Sequence, residues 1–172
     1  VGLRKGDVIA NGIYRYKVIN DAVDGTGEME VVGFVKGRSA KNVVLPKSVE
    51  WNTIKYNVTA VGTKAFIRNK KIRSIVIPDS VVNIRFKAFY ECPNVRKLTL
   101  GKNVSFLGAH AFCLNKNLAK IVFRGTKLKQ LKDPHVFIEV NRAKVYVPKG
   151  KYKKYKKLLS TYGLGKCKFV KK

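Results

Sequence analysis

The sequence predicts an α/β chain built as a short solenoid. Each unit of about 23 residues carries one parallel strand, residues 1–57 form a β-rich N-terminal cap, and a capping helix lies in the basic segment 149–172. Three observations predict it. The pair Ala-Phe recurs at a fixed step, a short apolar strand signal follows each copy at nearly constant distance, and the charge changes abruptly near residue 57.

The N-terminal segment reads as β. Ile13 to Ile19 alternates Tyr, Val and Ile with polar residues, and Met29 to Val35 is a second apolar run. Between them Asp24-Gly25-Thr26-Gly27 is a hairpin signal, because glycine accepts positive φ. A further turn around Trp51-Asn52-Thr53 separates Val43–Val49 from Ile54–Val61. A stacked repeat exposes its end unit, so a cap or small β module is the reading for residues 1–57, with an independent binding module as the rival. The chain opens on Val1-Gly2-Leu3 without initiator Met or signal-peptide pattern, which reads as a mature or trimmed chain.

Residues 58–148 carry the repeat. Ala65-Phe66, Ala88-Phe89 and Ala111-Phe112 are spaced by 23 residues, and a degenerate copy ends at Phe137, 25 residues on. The strand signals are Ile75–Ile77, Leu98–Leu100, Ile121–Phe123 and Val145–Val147. An apolar residue precedes each Ala-Phe position: Val61, Ile84, Leu107 and Leu131. Such a unit leaves one apolar face bare and covers it only by stacking on its neighbours, so about four units are expected, with strands about 4.8 Å apart. Alanine lets the backbone approach the core that phenylalanine fills, which makes Ala65, Phe66, Ala88, Phe89, Ala111, Phe112 and Phe137 the expected core. Ile72, Ile75 and Ile77, then Val95, Leu98 and Leu100, then Leu118, Ile121 and Phe123 repeat an L-x-x-L-x-L spacing.

After Pro148, the residues Tyr152, Tyr155, Leu158 and Leu159 recur at helical spacing over Lys149–Ser160, and Gly163 follows. The apolar stripe reads as the cover of the last unit. A basic amphipathic helix on an anionic membrane or nucleic acid is the alternative.

The stretch from Val81-Val82-Asn83-Ile84 through Ala88-Phe89-Tyr90-Glu91-Cys92 to Leu98-Thr99-Leu100 resembles the BspA-type leucine-rich repeat. Leu45–Gly62 is similar to the entry segment of that family, and Tyr146–Tyr155 to its closing segment. The resemblance covers residues 40–172. Arg85 stands where the pattern has glycine, and Lys132-Asp133-Pro134 makes the fourth unit irregular. The resemblance implies a secreted or cell-surface protein with an adhesion or ligand-binding role.

Charge and chemistry narrow the function further. Residues 1–57 hold 9 basic and 6 acidic side chains, whereas residues 58–172 hold 28 and 4, within a total of +27. That excess predicts attraction to polyanions. Alternate strand residues point away from the core, so Ser74, Lys97, Lys120 and Lys144 form one row on the open face. Val76, Thr99, Val122 and Tyr146 form the next, with Arg73 and Arg96 beside them. This is the candidate ligand face, with a merely solvated surface as the alternative. The expected partner is an anionic cell-wall polymer or a host protein or glycan. Nucleic acid is the alternative, attracted without sequence preference because lysine outnumbers arginine and the aromatics sit at core spacing. A structural spacer within a larger surface protein is the third reading. A monomer is expected.

No phosphate loop, dinucleotide fingerprint, nucleophile elbow or paired-carboxylate motif appears, so a non-enzyme is expected, without cofactor and with no metal assigned. Asp21, Asp24, Glu28 and Glu30 miss the calcium-loop spacing. Cys92 and Cys113 occupy non-equivalent repeat positions and read as core rather than a disulfide. His110 and His135 each stand two residues before a repeat Phe, which brings them near one another. Ordinary turn residues are the default there and a metal pair the alternative. No apolar run reaches the length of a membrane span.

Overall fold

The computed structural model describes residues 2–129 and 133–172, so Val1, the apolar position Leu131 and the irregular Lys132 lie outside the described residues. Among the described residues, thirteen strands and one α-helix follow in chain order. They are β1 (Val8–Asn11), β2 (Tyr14–Val23), β3 (Thr26–Phe34), β4 (Asn42–Val44), β5 (Ser48–Trp51), β6 (Ile54–Val61), β7 (Ser74–Val76), β8 (Asn83–Ile84), β9 (Lys97–Leu100), β10 (Phe106–Leu107), β11 (Lys120–Phe123), β12 (Lys144–Val147), α1 (Tyr152–Leu159) and β13 (Lys168–Lys171). The result is a strand-rich repeat fold with one C-terminal α-helix.

Two sheets share the core. One has seven strands in the order β1-β2-β3-β6-β8-β10, with β5 added on β6. The other has six strands, β13-β12-β11-β9-β7-β4, and every neighbouring pair in it is parallel. The β2–β3 hairpin turns at Asp24-Gly25, both with positive φ, in the sense that matches strand twist. The β5–β6 hairpin turns at Asn52 and Thr53, likewise with positive φ.

The apolar run Val43–Val49 is not one strand. Pro46 has no N–H to donate, and the chain breaks there. Residues before it form β4, paired in parallel with β7, and residues after it form β5 in the other sheet. A second short strand per unit, β8 and then β10, continues from β6 in parallel.

The phenylalanines of the repeat form a continuous stack. Phe66, Phe89, Phe112 and Phe137 lie ring on ring, with centroids 5.0, 5.4 and 5.4 Å apart and planes within 10°. All four are buried, as are Ala88 and Ala111, while Ala65 is half-buried against the same core. Each such contact adds about 0.5–1.5 kcal/mol to the burial of the rings. Phe34 and Tyr14 close the stack at the N-terminal end by packing against Phe66.

The departure at Arg85 has a structural reason. Its Nε donates to Glu30 Oε2 at 2.8 Å, an ion pair that ties β3 to the repeat. Glycine holds the matching position at Gly108, where a Cβ would stand 2.5 Å from the Phe86 nitrogen. Helix α1 follows a single 3-10 turn and presents Tyr155 and Leu159 to the core, while Lys153, Lys154, Lys156 and Lys157 stay exposed. The Tyr155 hydroxyl accepts from Leu128 N at 3.0 Å and donates to Gly125 O at 3.1 Å.

Candidate functional site

The open face of the six-stranded sheet follows from strand alternation. Val43, Ile75, Leu98, Ile121 and Val145 point inward and are buried, so their neighbours point out. The parallel register places Asn42, Ser74, Lys97, Lys120, Lys144 and Lys168 in one row across the sheet. Val44, Val76, Thr99, Val122, Tyr146 and Val170 form the second row. All four lysines of the first row are exposed. Lys120 Nζ stands over the Tyr146 ring, 5.1 Å from its centroid. Ser74 Oγ donates to Asn42 Oδ1 at 2.7 Å, which ends the charged part of the row.

Arg73 and Arg96 stand one residue before their strands and are exposed. Backbone bonds hold them in line with Lys41: Arg73 N donates to Lys41 O and Arg96 N to Arg73 O. A groove of about 510 Å³ opens beside Arg73, its lining including Lys41, Lys70, Lys71 and Asn94. Among the described residues, none of these cations is in an ion pair. Adjacent lysines at a strand spacing of about 5 Å repel by on the order of 1 kcal/mol even in water. An anion bridging two of them removes that repulsion.

Two parts of this face carry no readable sequence signal. Asn42 belongs to a run that looks continuous with β5. Lys168 lies in a lysine-rich tail where the alternation Lys168-Phe169-Val170-Lys171 spans one strand only. A second groove, of about 780 Å³, lies between β2 and Arg85 and mixes Lys5 and Lys17 with Glu28 and Glu30.

The cysteines are poor nucleophiles. Burial pushes the Cys92 thiol up to about 12 and raises those of Cys113 and Cys167, the reverse of thiol activation. All three are free thiols. His110 and His135 do meet: their rings stack with centroids 5.5 Å apart. Asp133 joins them, its Oδ1 lying 2.8 Å from His135 Nδ1. No helix among the described residues is long and apolar enough to cross a membrane.

Three solved structures share the fold. A leucine-rich repeat protein from Bacteroides capillosus matches with TM-score 0.66 and 21% identity, covering 80% of this chain and 97% of that one. A leucine rich cell surface protein from Faecalibacterium prausnitzii matches with TM-score 0.63 and 20% identity, covering 84% of this chain but 37% of its own. The pneumococcal vaccine antigen PcpA matches with TM-score 0.57 and 20% identity, covering 86% of this chain and 45% of its own. No curated protein sequence matches the chain. The model of the BspA type leucine rich repeat region matches residues 38–158 in six copies, against the four units that the Ala-Phe spacing picks out. With its parallel, in-register strands and its phenylalanine stack, the chain belongs to the BspA-type leucine-rich repeat family.

Proposed function

We propose that the chain is a non-enzymatic interaction module of the cell surface, binding an anionic polymer through its six-stranded face. The observation that carries the reading is the row of Lys97, Lys120, Lys144 and Lys168, in register, exposed and without acidic partners among the described residues. A regular row of cations matches a polymer with repeating negative charge better than a small ligand. Arg73, Arg96, Ser74 and Thr99 extend the face to one side, and Val122 and Tyr146 supply apolar contact. Phosphate-bearing wall polymers and acidic host glycans share the required chemistry. In this reading the units stack as a solenoid, residues 1–57 close one end, and the segment 149–172 closes the other. The cell-surface relative and the vaccine antigen among the fold neighbours support an extracellular setting.

The net charge of +27 also favours a second reading, nonspecific nucleic-acid binding. Co-sedimentation with purified cell walls separates the two. Walls with and without their anionic polymers are compared at ~50 and ~200 mM salt, with duplex DNA as competitor. The proposal expects binding that needs the polymer, survives excess DNA, and weakens at least tenfold in Lys97→Gln/Lys120→Gln/Lys144→Gln. Equal competition by DNA, or no effect of the triple variant, would overturn it.

A further inference from the structure

We propose that His110, Asp133 and His135 form a binding site for a divalent transition-metal ion of the Zn2+ class. Their ligand atoms, two imidazole nitrogens and a carboxylate oxygen, lie within 4.8 Å of one another. Ligand atoms around a tetrahedral Zn2+ at ~2.0–2.1 Å sit ~3.4 Å apart, so small side-chain rotations complete the site. Two imidazoles with one carboxylate suit a borderline ion and not Ca2+, which takes oxygen ligands. Three protein donors leave at least one coordination position for water or for a donor brought by a bound partner.

The repeat explains how the site is built. The residue two before the repeat Phe is Lys64, Lys87, His110 and His135 in successive units. The parallel stacking therefore sets equivalent side chains one above another. His110 N donates to His135 O at 3.0 Å, which fixes the separation of the two units at this point. Asp133 enters from the same turn as His135 and accepts from His135 N at 2.7 Å.

His110 supplies a separate observation. Its Nδ1 is shielded from solvent and has no hydrogen-bond partner among the described residues. Its ring contacts among the described residues are aromatic ones, edge-on to Phe86 at 6.1 Å and Tyr90 at 6.3 Å and stacked on His135. A shielded imidazole without a polar partner is costly unless something else binds the ring. Lys87, at the same repeat position one unit earlier and of like charge to a metal cation, stands over the Phe86 and Tyr90 rings, 5.1 and 4.9 Å from their centroids. The position that would otherwise carry a third lysine is histidine, so the cluster stays compatible with a cation on a strongly basic protein.

The test is a titration of the full chain, freed of metal by chelation, with Zn2+ in a non-coordinating buffer. Calorimetry is expected to show one Zn2+ per chain, and 15N spectra to show both imidazoles shifting together. His110→Gln and His135→Gln are each expected to weaken binding at least tenfold, and Asp133→Asn to weaken it as well. The melting temperature without metal checks that the variants fold. Since Gln keeps a polar side chain, His135→Gln also serves if His110→Gln is unstable. Absence of binding, or equal binding by the double histidine variant, would overturn the proposal.

Discussion

Single side chains set the tolerances of this fold. Asn115 is fully buried and bridges two units: its Oδ1 accepts from Cys92 N at 2.7 Å, and its Nδ2 donates to Phe89 O at 3.0 Å. Asn69, Cys92 and Asn115 share one repeat position, so Asn115 satisfies backbone groups of the unit before its own. Asn115→Ala strands both groups and is expected to cost about 2–4 kcal/mol, read as a lower urea midpoint at unchanged m-value. Asp79 acts at the surface. Its Oδ1 accepts from Lys102 N at 2.8 Å and pairs with Arg124 at 3.1 Å, and these hold its carboxyl below the usual range. A carboxyl depressed in the folded state stabilises above its unfolded value of ~3.9 and loses that effect as pH falls through the folded value. Melting temperature is therefore expected to drop below about pH 4, and Asp79→Asn to be less stable at pH 7 with the gap closing under acid.

Elements were legible where they repeat. Phe66, Phe89 and Phe112 sit at one step because each must land on the ring of the previous unit, so period and core are the same fact. The hairpin at Asp24-Gly25 was equally clear, since its chemistry is local. Strands β8 and β10 were not, because two residues hold no alternation. Nor was the transfer of β4 to the parallel sheet, which depends on a pairing with β7 some thirty residues away in sequence. For the candidate face, Lys97, Lys120 and Lys144 could be aligned from spacing alone, whereas Lys168 needed its three-dimensional neighbours, as did Asp133 in the histidine cluster. At the helix end, Gly163 has φ 103°, and a Cβ there would stand 2.6 Å from the Phe137 carbonyl carbon. Phe137 N donates to Tyr162 O at 2.9 Å across this contact. Gly163→Ala is expected to cost at least ~2 kcal/mol from strain and clash, lowering the thermal midpoint by roughly 4 °C or more.

The whole molecule is a large positive charge wrapped around a continuous apolar core. Self-repulsion among 37 basic and only 10 acidic side chains opposes compaction. Salt shortens the reach of that repulsion to ~10 Å at 0.1 M. The thermal midpoint is thus expected to rise between ~20 and ~200 mM NaCl, and to rise further with a polyanion that bridges the lysine row. A midpoint that falls with salt would mean that attractive pairs such as Arg85–Glu30 outweigh the repulsion.

The six-stranded sheet ends at β13, and that ending has a consequence for solubility. An outermost strand offers unpaired amides and carbonyls to any other extended chain that drifts alongside. Here the strand is four residues long and carries Lys168 and Lys171, both exposed. An approaching copy would bring its own lysines against them. The same charge that draws an anionic polymer to the face thereby keeps this border from growing by the addition of another molecule of the protein.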